Sequence, residues 1–585
     1  MLEGIDDIDW AGLEHAYGPA DDVPDLLRAA QSADEDEQEQ AFEDLFSSLC
    51  HQGSIYSATA AAVPFLAHLA LHGSGDRVRM LWLLGGAADG NGREYLQVRR
   101  AVAEVMPSLL GLAADGEDAV RKAMVWLISV CDDYALPLLP LLRARLDEEN
   151  DPGIRADIVT ALGLLDPSDD ARTARARALL AAPEPLVRRA AAVDLLRTAP
   201  LPLPVDLVDL ALDTYDGEPA LEADAPWPEH YRSLDERLLD DPDAALRAVA
   251  RGMPLASAIT RIWRDREQDV LPWLVASVEG PYDLRDIARE AAAVDGGEPA
   301  PWLEVHLRSP QPQMRVAATL VAVRLRVPDA LGLVLRLMDE IPGTEGVADA
   351  VRAAVEVYGA AAEPVALRVL ARPRSEWLGV LGDFPALAAA SVDDLVRLLP
   401  HSAGVLGSLG ADAGPAATRA LLGHARKGSK ESALAYARVT ADPSVVVAAL
   451  RTDLAEGNGV HTAGALGPLA AGLLPEIEAQ LARPWWHVQA AAALAIWRIT
   501  GRTEDTAPVL AERLARTDQF APHHLEWLRA LRDMALLPDI ARPTVERFAY
   551  SARRVMSPDI LNGAAPHADY EARALARELL AAVAH

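Results

Sequence analysis

Lysine is almost missing from this chain: it has three, Lys122, Lys427 and Lys430. Cysteine is scarcer still, with Cys50 and Cys131 far apart and in no metal-binding spacing. At most one disulfide can form from them, so a reducing, cytoplasmic setting is expected. Aromatic residues are 5% of the chain against 51% hydrophobic residues, so any interior has to be built chiefly of Leu, Ala and Val, which suits thin helical layers. Positive charge is also short, with 55 Lys and Arg against 87 Asp and Glu, a net charge of -32. That balance repels nucleic-acid backbone and anionic membrane alike unless a local basic stripe offsets it, and no such stripe is visible. Long apolar runs are lacking as well: the stretch from Ala58 to Leu71 carries Pro64 and His68 and stops short of membrane-spanning length. The opening residues, Met1 to Asp7, are acidic and lack a basic region followed by an apolar core, so no signal peptide is expected.

What the chain does have is a beat. Asp118-Ala119-Val120-Arg121, Asp151-Pro152-Gly153-Ile154-Arg155 and Pro185-Leu186-Val187-Arg188 each run into an apolar series, and their arginines are 34 and 33 residues apart. Such a period is too long for one helix and fits a pair of antiparallel helices stacked on the next pair. An acidic residue or proline ahead of each arginine marks a helix start, where a carboxylate meets the positive end and proline forfeits no hydrogen bond. The series continues at Arg247, Arg285, Arg315 and Arg352. An arginine recurring in one place of a repeat is expected to be structural, bridging to the preceding unit through a carboxylate or helix-end carbonyls. The spacing predicts an all-α fold, an α-α superhelix of roughly 12 to 15 helix pairs.

Residues 1–57 read as an N-terminal helical cap, whose acidic run Asp34 to Glu39 leads into Phe42, Leu45, Phe46 and Leu49. Repeats follow over 58–370, with a loop insertion near 200–230 where Gly217, Pro219 and Pro226 break the beat. In 371–515 the repeats turn glycine-rich, and Ala403-Gly404-Val405-Leu406-Gly407-Ser408-Leu409 shares a template with Ala463-Gly464-Ala465-Leu466-Gly467-Pro468-Leu469. Small residues at that spacing let helices approach closely. Residues 516–585 read as a C-terminal helical cap, with loop chemistry between Ser551 and Asp569.

The repeats resemble those of the HEAT-repeat superfamily. Asp151-Pro152 ahead of Arg155, and Val187-Arg188-Arg189-Ala190-Ala191, match its second-helix pattern, and the likeness runs from about residue 58 to residue 515. Two segments are also similar to ones in bacterial, largely actinobacterial, HEAT-repeat proteins of undefined function. These are His51-Gln52-Gly53-Ser54-Ile55-Tyr56 leading to Ala62-Val63-Pro64-Phe65-Leu66, and Ala495-Ile496-Trp497-Arg498-Ile499-Thr500-Gly501. The resemblance implies a HEAT-like solenoid with an extended concave surface used as a scaffold, and it implies no reaction.

Candidate chemistry is sparse. There is no Gly-x-Ser-x-Gly elbow, His-Glu-x-x-His helix or phosphate loop, so no catalytic residue, cofactor or metal is expected. The adjacent His523 and His524 are expected to point in different directions on a helix or turn, and Asp132-Asp133 and Asp169-Asp170 fall where helix capping explains them. Trp82, Trp126, Trp263, Trp273 and Trp497 sit at helical spacing among Leu and Ala and are expected in the core. The least repeat-like polar cluster is the turn around His51, Gln52 and Tyr56. Together with Trp82 it is the candidate partner contact.

The resulting expectation is a cytoplasmic, non-catalytic scaffold for a protein or peptide, drawn towards basic partners by its charge. Nucleic acid and membrane are not expected partners. The alternative, an enzyme of the glycosylase type acting on a modified base or small molecule, comes from the resemblance, since HEAT-like solenoids include DNA glycosylases with concave, aromatic-lined clefts.

Overall fold

The computed structural model describes residues 2–131, 135–213, 233–294, 296, 300–456, 458–517, 519–556 and 565–583. Most of the loop insertion near 200–230, the pair Asp132-Asp133 and the middle of the stretch between Ser551 and Asp569 lie outside them.

Asp151 illustrates one way a repeat starts its second helix. Its backbone is extended, its carboxylate accepts a 2.8 Å bond from the Ile154 amide, and Pro152 takes the first helical position of Pro152–Leu165. Asp76 does the same for Arg77–Asp89, accepting from the Arg79 amide. The helices Arg77–Asp89, Asp118–Ser129, Pro152–Leu165 and Pro185–Thr198 then stack in that order, each also packed on the helical segment before it. The same stacking links Pro281–Ala291 to Pro312–Arg324 and Val347–Tyr358, and Ala403–Ser408 to Lys430–Thr440. The fold is all-α, an α-α superhelix of the HEAT-like solenoid kind. The described strands are two hairpins of two-residue strands near the N-terminus. Among the described residues no helix is long and apolar enough to cross a membrane.

The recurring arginine has one repeated job. Nη1 of Arg121, Arg155, Arg188 and Arg315 each donates to the carbonyl six residues earlier, on Asp115, Glu149, Ala182 and Ser309, at 2.9 to 3.1 Å. The side chain thereby caps the turn inside its own repeat, satisfying a carbonyl the preceding helix leaves open. Its carboxylate partner lies in the following repeat rather than the preceding one: Arg121 reaches Glu149 at 2.8 Å and Arg155 reaches Glu184 at 3.8 Å. Gln489 takes the arginine's place later in the chain, donating from Nε2 to the Arg483 carbonyl at 2.7 Å. The other arginines of the series do different work, since Arg247 pairs with Asp209, Arg285 lies over the Tyr282 ring and Arg352 pairs with Asp349 three residues away.

The glycine template has a matching physical basis in both copies. A Cβ placed on Gly407 would stand 3.1 Å from Ala435 Cα, and one placed on Gly464 would stand 3.1 Å from Ala495 Cα. Helices Ala403–Ser408 and Lys430–Thr440, and likewise Val460–Leu466 and Trp486–Thr500, approach closely because these positions carry no side chain.

Residue contacts divide the chain into two compact units, Met1–Leu255 and Ala256–His585. The division falls inside the stretch 58–370. Within the second unit the first and last helices meet. Trp263 bridges to Arg553 in strand fashion, Arg554 donates from its amide to the Ile262 carbonyl at 2.8 Å, and Arg264 pairs with Asp569. A linear stack does not bring its ends together, so this closure is a tertiary feature of the unit.

Candidate functional site

Register builds the main candidate site in the first unit. The residue after each recurring arginine is Lys122, Ala156 and Arg189, and the stacking of the three helices sets these side by side. With Gly153, Asp157, Thr160, Leu186 and Ala190 they line a small, half-open cleft of about 30 Å³. Lys122 Nζ stands 4.0 Å from Asp157 Oδ2 and 5.4 Å from the centroid of the Trp126 ring, one turn further along the same helix. Trp126 is 3% exposed and stacks on Trp82, 37% exposed, with centroids 5.4 Å apart and planes at 36°. Arg189 is 7% exposed, and its Nε and Nη2 have no hydrogen-bond partner. Half-exposed indole and buried cation thus share one face of the stack.

Of the four partner-contact residues read from the sequence, three lie together and one stands apart. His51 pairs with Ser54 in the hairpin of Cys50–His51 and Ser54–Ile55, whose turn residues Gln52 and Gly53 have φ of 50° and 79°. This hairpin is tied to the turn after Arg77–Asp89 by Ile55 N to Asn91 O at 3.0 Å and Asn91 N to Gly53 O at 2.7 Å. Tyr56 leads into Ser57–His72, its amide donating to Thr59 Oγ1 at 3.0 Å. His51 meets a residue the sequence did not single out: its ring lies edge-on to Tyr17 at 5.5 Å, with Nδ1 3.3 Å from the Tyr17 hydroxyl. Tyr17 is 66% exposed, which makes it the most open aromatic of this corner. Gln52 is exposed at the hairpin tip. Trp82 instead belongs to the helix face with Trp126. Trp273 also stands at the surface, so of the tryptophans expected in the core Trp126 alone is fully buried.

The second unit holds a denser polar cluster where its ends meet. Arg264 binds Asp569 through Nε at 2.5 Å and Nη2 at 3.0 Å, and donates through Nη1 to the Phe548 and Ser551 carbonyls. Glu267 accepts from Arg554 and from the Tyr570 hydroxyl, the latter at 2.5 Å. His567 Nε2 lies 3.1 Å from Glu290 Oε2, and both side chains are buried. Burial would raise the Asp569 carboxyl, but Arg264 and the amides of Val555 and Met556 outweigh it and hold it below its ordinary value. Burial likewise opposes Glu290, whose neighbours His567, Arg289 and Arg554 still leave it lowered. Tyr570 is pushed up to about 12 by burial and by its bond to the Glu267 carboxylate. A cavity of about 410 Å³ opens beside the cluster, lined by Asp265, Glu267, Gln268, Arg289, Ala292, Ala293, Pro566, His567 and Tyr570. Every charge in this cluster has an opposite charge beside it, which is the pattern of a clasp. Sequence reasoning missed it, since partners such as Arg264 and Asp569 are 305 residues apart.

His524 is packed among Phe520, Trp486 and Trp527, and burial followed by the neighbouring His523 lowers it to about 4. Cys50 and Cys131 are free and buried. Among the described residues no group of three or more His, Cys, Asp and Glu is placed to hold a metal ion.

No family model matches the chain, and neither does any curated relative. Among solved structures it is similar to Kap121p, with a TM-score of 0.37 at 11% identity, covering 96% of this chain and 78% of that one. It is similar in the same degree to the karyopherin Kap121p bound to the SUMO protease Ulp1p, with a TM-score of 0.37 and 11% identity over 96% of this chain and 77% of that one. The Kap95p chain described with RanGDP aligns with a TM-score of 0.32 and 12% identity over 96% and 87% of the two chains. At this distance the assignment of the fold rests on the helix stacking itself.

Proposed function

We propose that this chain is a non-catalytic cytoplasmic scaffold that takes a protein or peptide partner of basic character on the stacked faces of the 77–89, 118–129, 152–165 and 185–198 helices. The observation that carries the reading is Trp82, 37% exposed and stacked on Trp126, next to a charged cleft on the same row of helices. Aromatic anchors beside a polar cleft are the composition of interface hot spots, where indole supplies area and charged groups supply direction. The net charge of -32 acts at longer range, steering positive partners to the molecule. His51, Gln52, Tyr56 and Tyr17 form a second contact corner on the N-terminal hairpins, and the two free cysteines suit a reducing compartment.

The test is recovery of the tagged full-length protein from its own host at low and at moderate salt, beside Trp82→Ala. A stoichiometric protein partner that is lost with salt, and weakened at least tenfold by Trp82→Ala, is the expected result. A co-purifying small molecule, or excision of an alkylated base from DNA by the isolated chain, would replace the scaffold with the enzyme reading.

A further inference from the structure

The helix Ser57–His72 differs from the rest of the chain in charge. Charged residues make up 24% of the sequence, yet none of the 16 residues of this helix is Asp, Glu, Lys or Arg. Its ionisable side chains are His68 and His72, both exposed. They stand four residues apart, so both imidazoles rise from one stripe of the helix. The rings meet across that turn, with centroids 5.2 Å apart and planes at 66°. The pair occupies the end of the helix whose carbonyls carry negative partial charge, the end that favours a cation. Arg77, which donates from Nε to the Ala70 carbonyl at 3.0 Å, is matched by Asp115 at 2.7 Å and so adds no net charge there.

We propose that His68 and His72 form a two-histidine seat for a zinc ion. The ring separation carries the assignment. Zinc holds an imidazole nitrogen at about 2.0–2.1 Å and the ring centre lies about 1.2 Å beyond it, so two imidazoles on a tetrahedral ion have centroids about 5.2 Å apart. On an ion with right-angled positions the same separation is about 4.5 Å. The observed 5.2 Å is the tetrahedral value. Rotation about χ2, which is broad for histidine, turns a nitrogen of each ring towards the shared point without moving the ring centre, because that centre lies on the rotation axis. Imidazole suits zinc, whereas magnesium and calcium take oxygen ligands, and no carboxylate of this helix competes for the ion. Among the described residues no third His, Cys, Asp or Glu completes the group, so two positions on the ion belong to water. That makes the seat a reversible binding site, unlike the closed four-ligand sites that hold structural zinc.

The probe is zinc chloride, titrated by calorimetry into the chelator-treated full-length chain, with the thermal midpoint measured in parallel. Only the folded helix holds the two rings at this spacing, so zinc is expected to raise the midpoint of the wild type in a saturable way. His68→Ala and His72→Ala each leave one imidazole, and loss of the intramolecular second bond is expected to weaken the site about a hundredfold. Both side chains are exposed, so the metal-free variants are expected to melt with the wild type, which separates loss of the seat from loss of the fold. Magnesium chloride at the same concentration is expected to move none of the three proteins. A zinc affinity unchanged in either variant would overturn the pair, as would the lack of a saturable response in the wild type. A magnesium response equal to that of zinc would overturn the imidazole assignment. None of these readouts involves a protein partner, so the zinc seat and the scaffold reading stand or fall separately.

Discussion

Glu149 couples the repeat architecture to pH. It sits at the turn before Pro152–Leu165 with its side chain 2% exposed, and it collects five donors. Arg121 donates from Nε at 2.8 Å and Nη2 at 3.0 Å, Arg145 from Nη2 at 3.0 Å, and the amides of Asn150 and Asp151 at 2.9 and 3.0 Å. Chiefly through Arg121, and against the opposing pull of burial, these hold the carboxyl down to about 2 from an ordinary 4.5. Because the folded value is the lower one, the stabilisation is fully present above pH about 4.5 and is lost as pH falls towards 2. At about 1.4 kcal/mol per pH unit of separation, the pair of values sets an upper bound of ~3 kcal/mol, and screening at the solvent-facing rim of Arg121 brings the expectation to ~2 kcal/mol. Glu149→Gln keeps the shape of the side chain and removes the titration. Urea unfolding of the full-length chain at pH 6 and pH 3, followed by circular dichroism, should show the wild type losing ~2 kcal/mol more than the variant between the two pH values. Equal losses in the two proteins would refute the reasoning, because Glu149 would then not be the group linking one repeat to the next.

The clasp of the second unit makes a sharper demand: Asp569→Ala strands Arg264 in the interior and should destabilise that unit by about 3–5 kcal/mol, whereas a urea midpoint within error of the wild type would show that the closure does not depend on it. Gly464→Val places a branched side chain 3.1 Å from the Ala495 backbone and should lower stability by about 2 kcal/mol or more, through overpacking that outweighs the better helix propensity of valine over glycine; thermal unfolding with an unchanged midpoint would mean the two helices part without strain.

Much of the repeat was legible without coordinates. The 34- and 33-residue spacing of Arg121, Arg155 and Arg188 announces a helix pair because only one side-chain position per repeat can reach back six residues to the open carbonyl of its own turn. Gln489 shows the limit of that signal, for the same bond is made there by a residue of another type. The shared template around Gly407 and Gly464 was equally readable, since a close approach of helices leaves a gap in side-chain size that any local comparison detects. Register even implies that Lys122, Ala156 and Arg189 stand in one row. Which of them lacks a partner is not implied, because 55 cations and 87 anions offer far more pairings than a linear pattern can rank. Tyr17 beside His51 was hidden for a related reason, being brought there by the fold of the N-terminal hairpins rather than by sequence proximity.

The amino-acid sequence alone therefore determined the all-α class, the helix starts, the turn-capping arginines and the close-packed glycines, each a consequence of interactions within one or two repeats. Tertiary structure alone decided that residues 262–264 meet residues 548–554 and Asp569, that Arg264 chooses Asp569 and His567 chooses Glu290, and that Nε and Nη2 of Arg189 are left without a hydrogen-bond partner. Contacts between neighbours along a stack repeat with the period and so leave a trace in it. A contact across 305 residues occurs once, and a single pairing of common charged residues leaves no period to read.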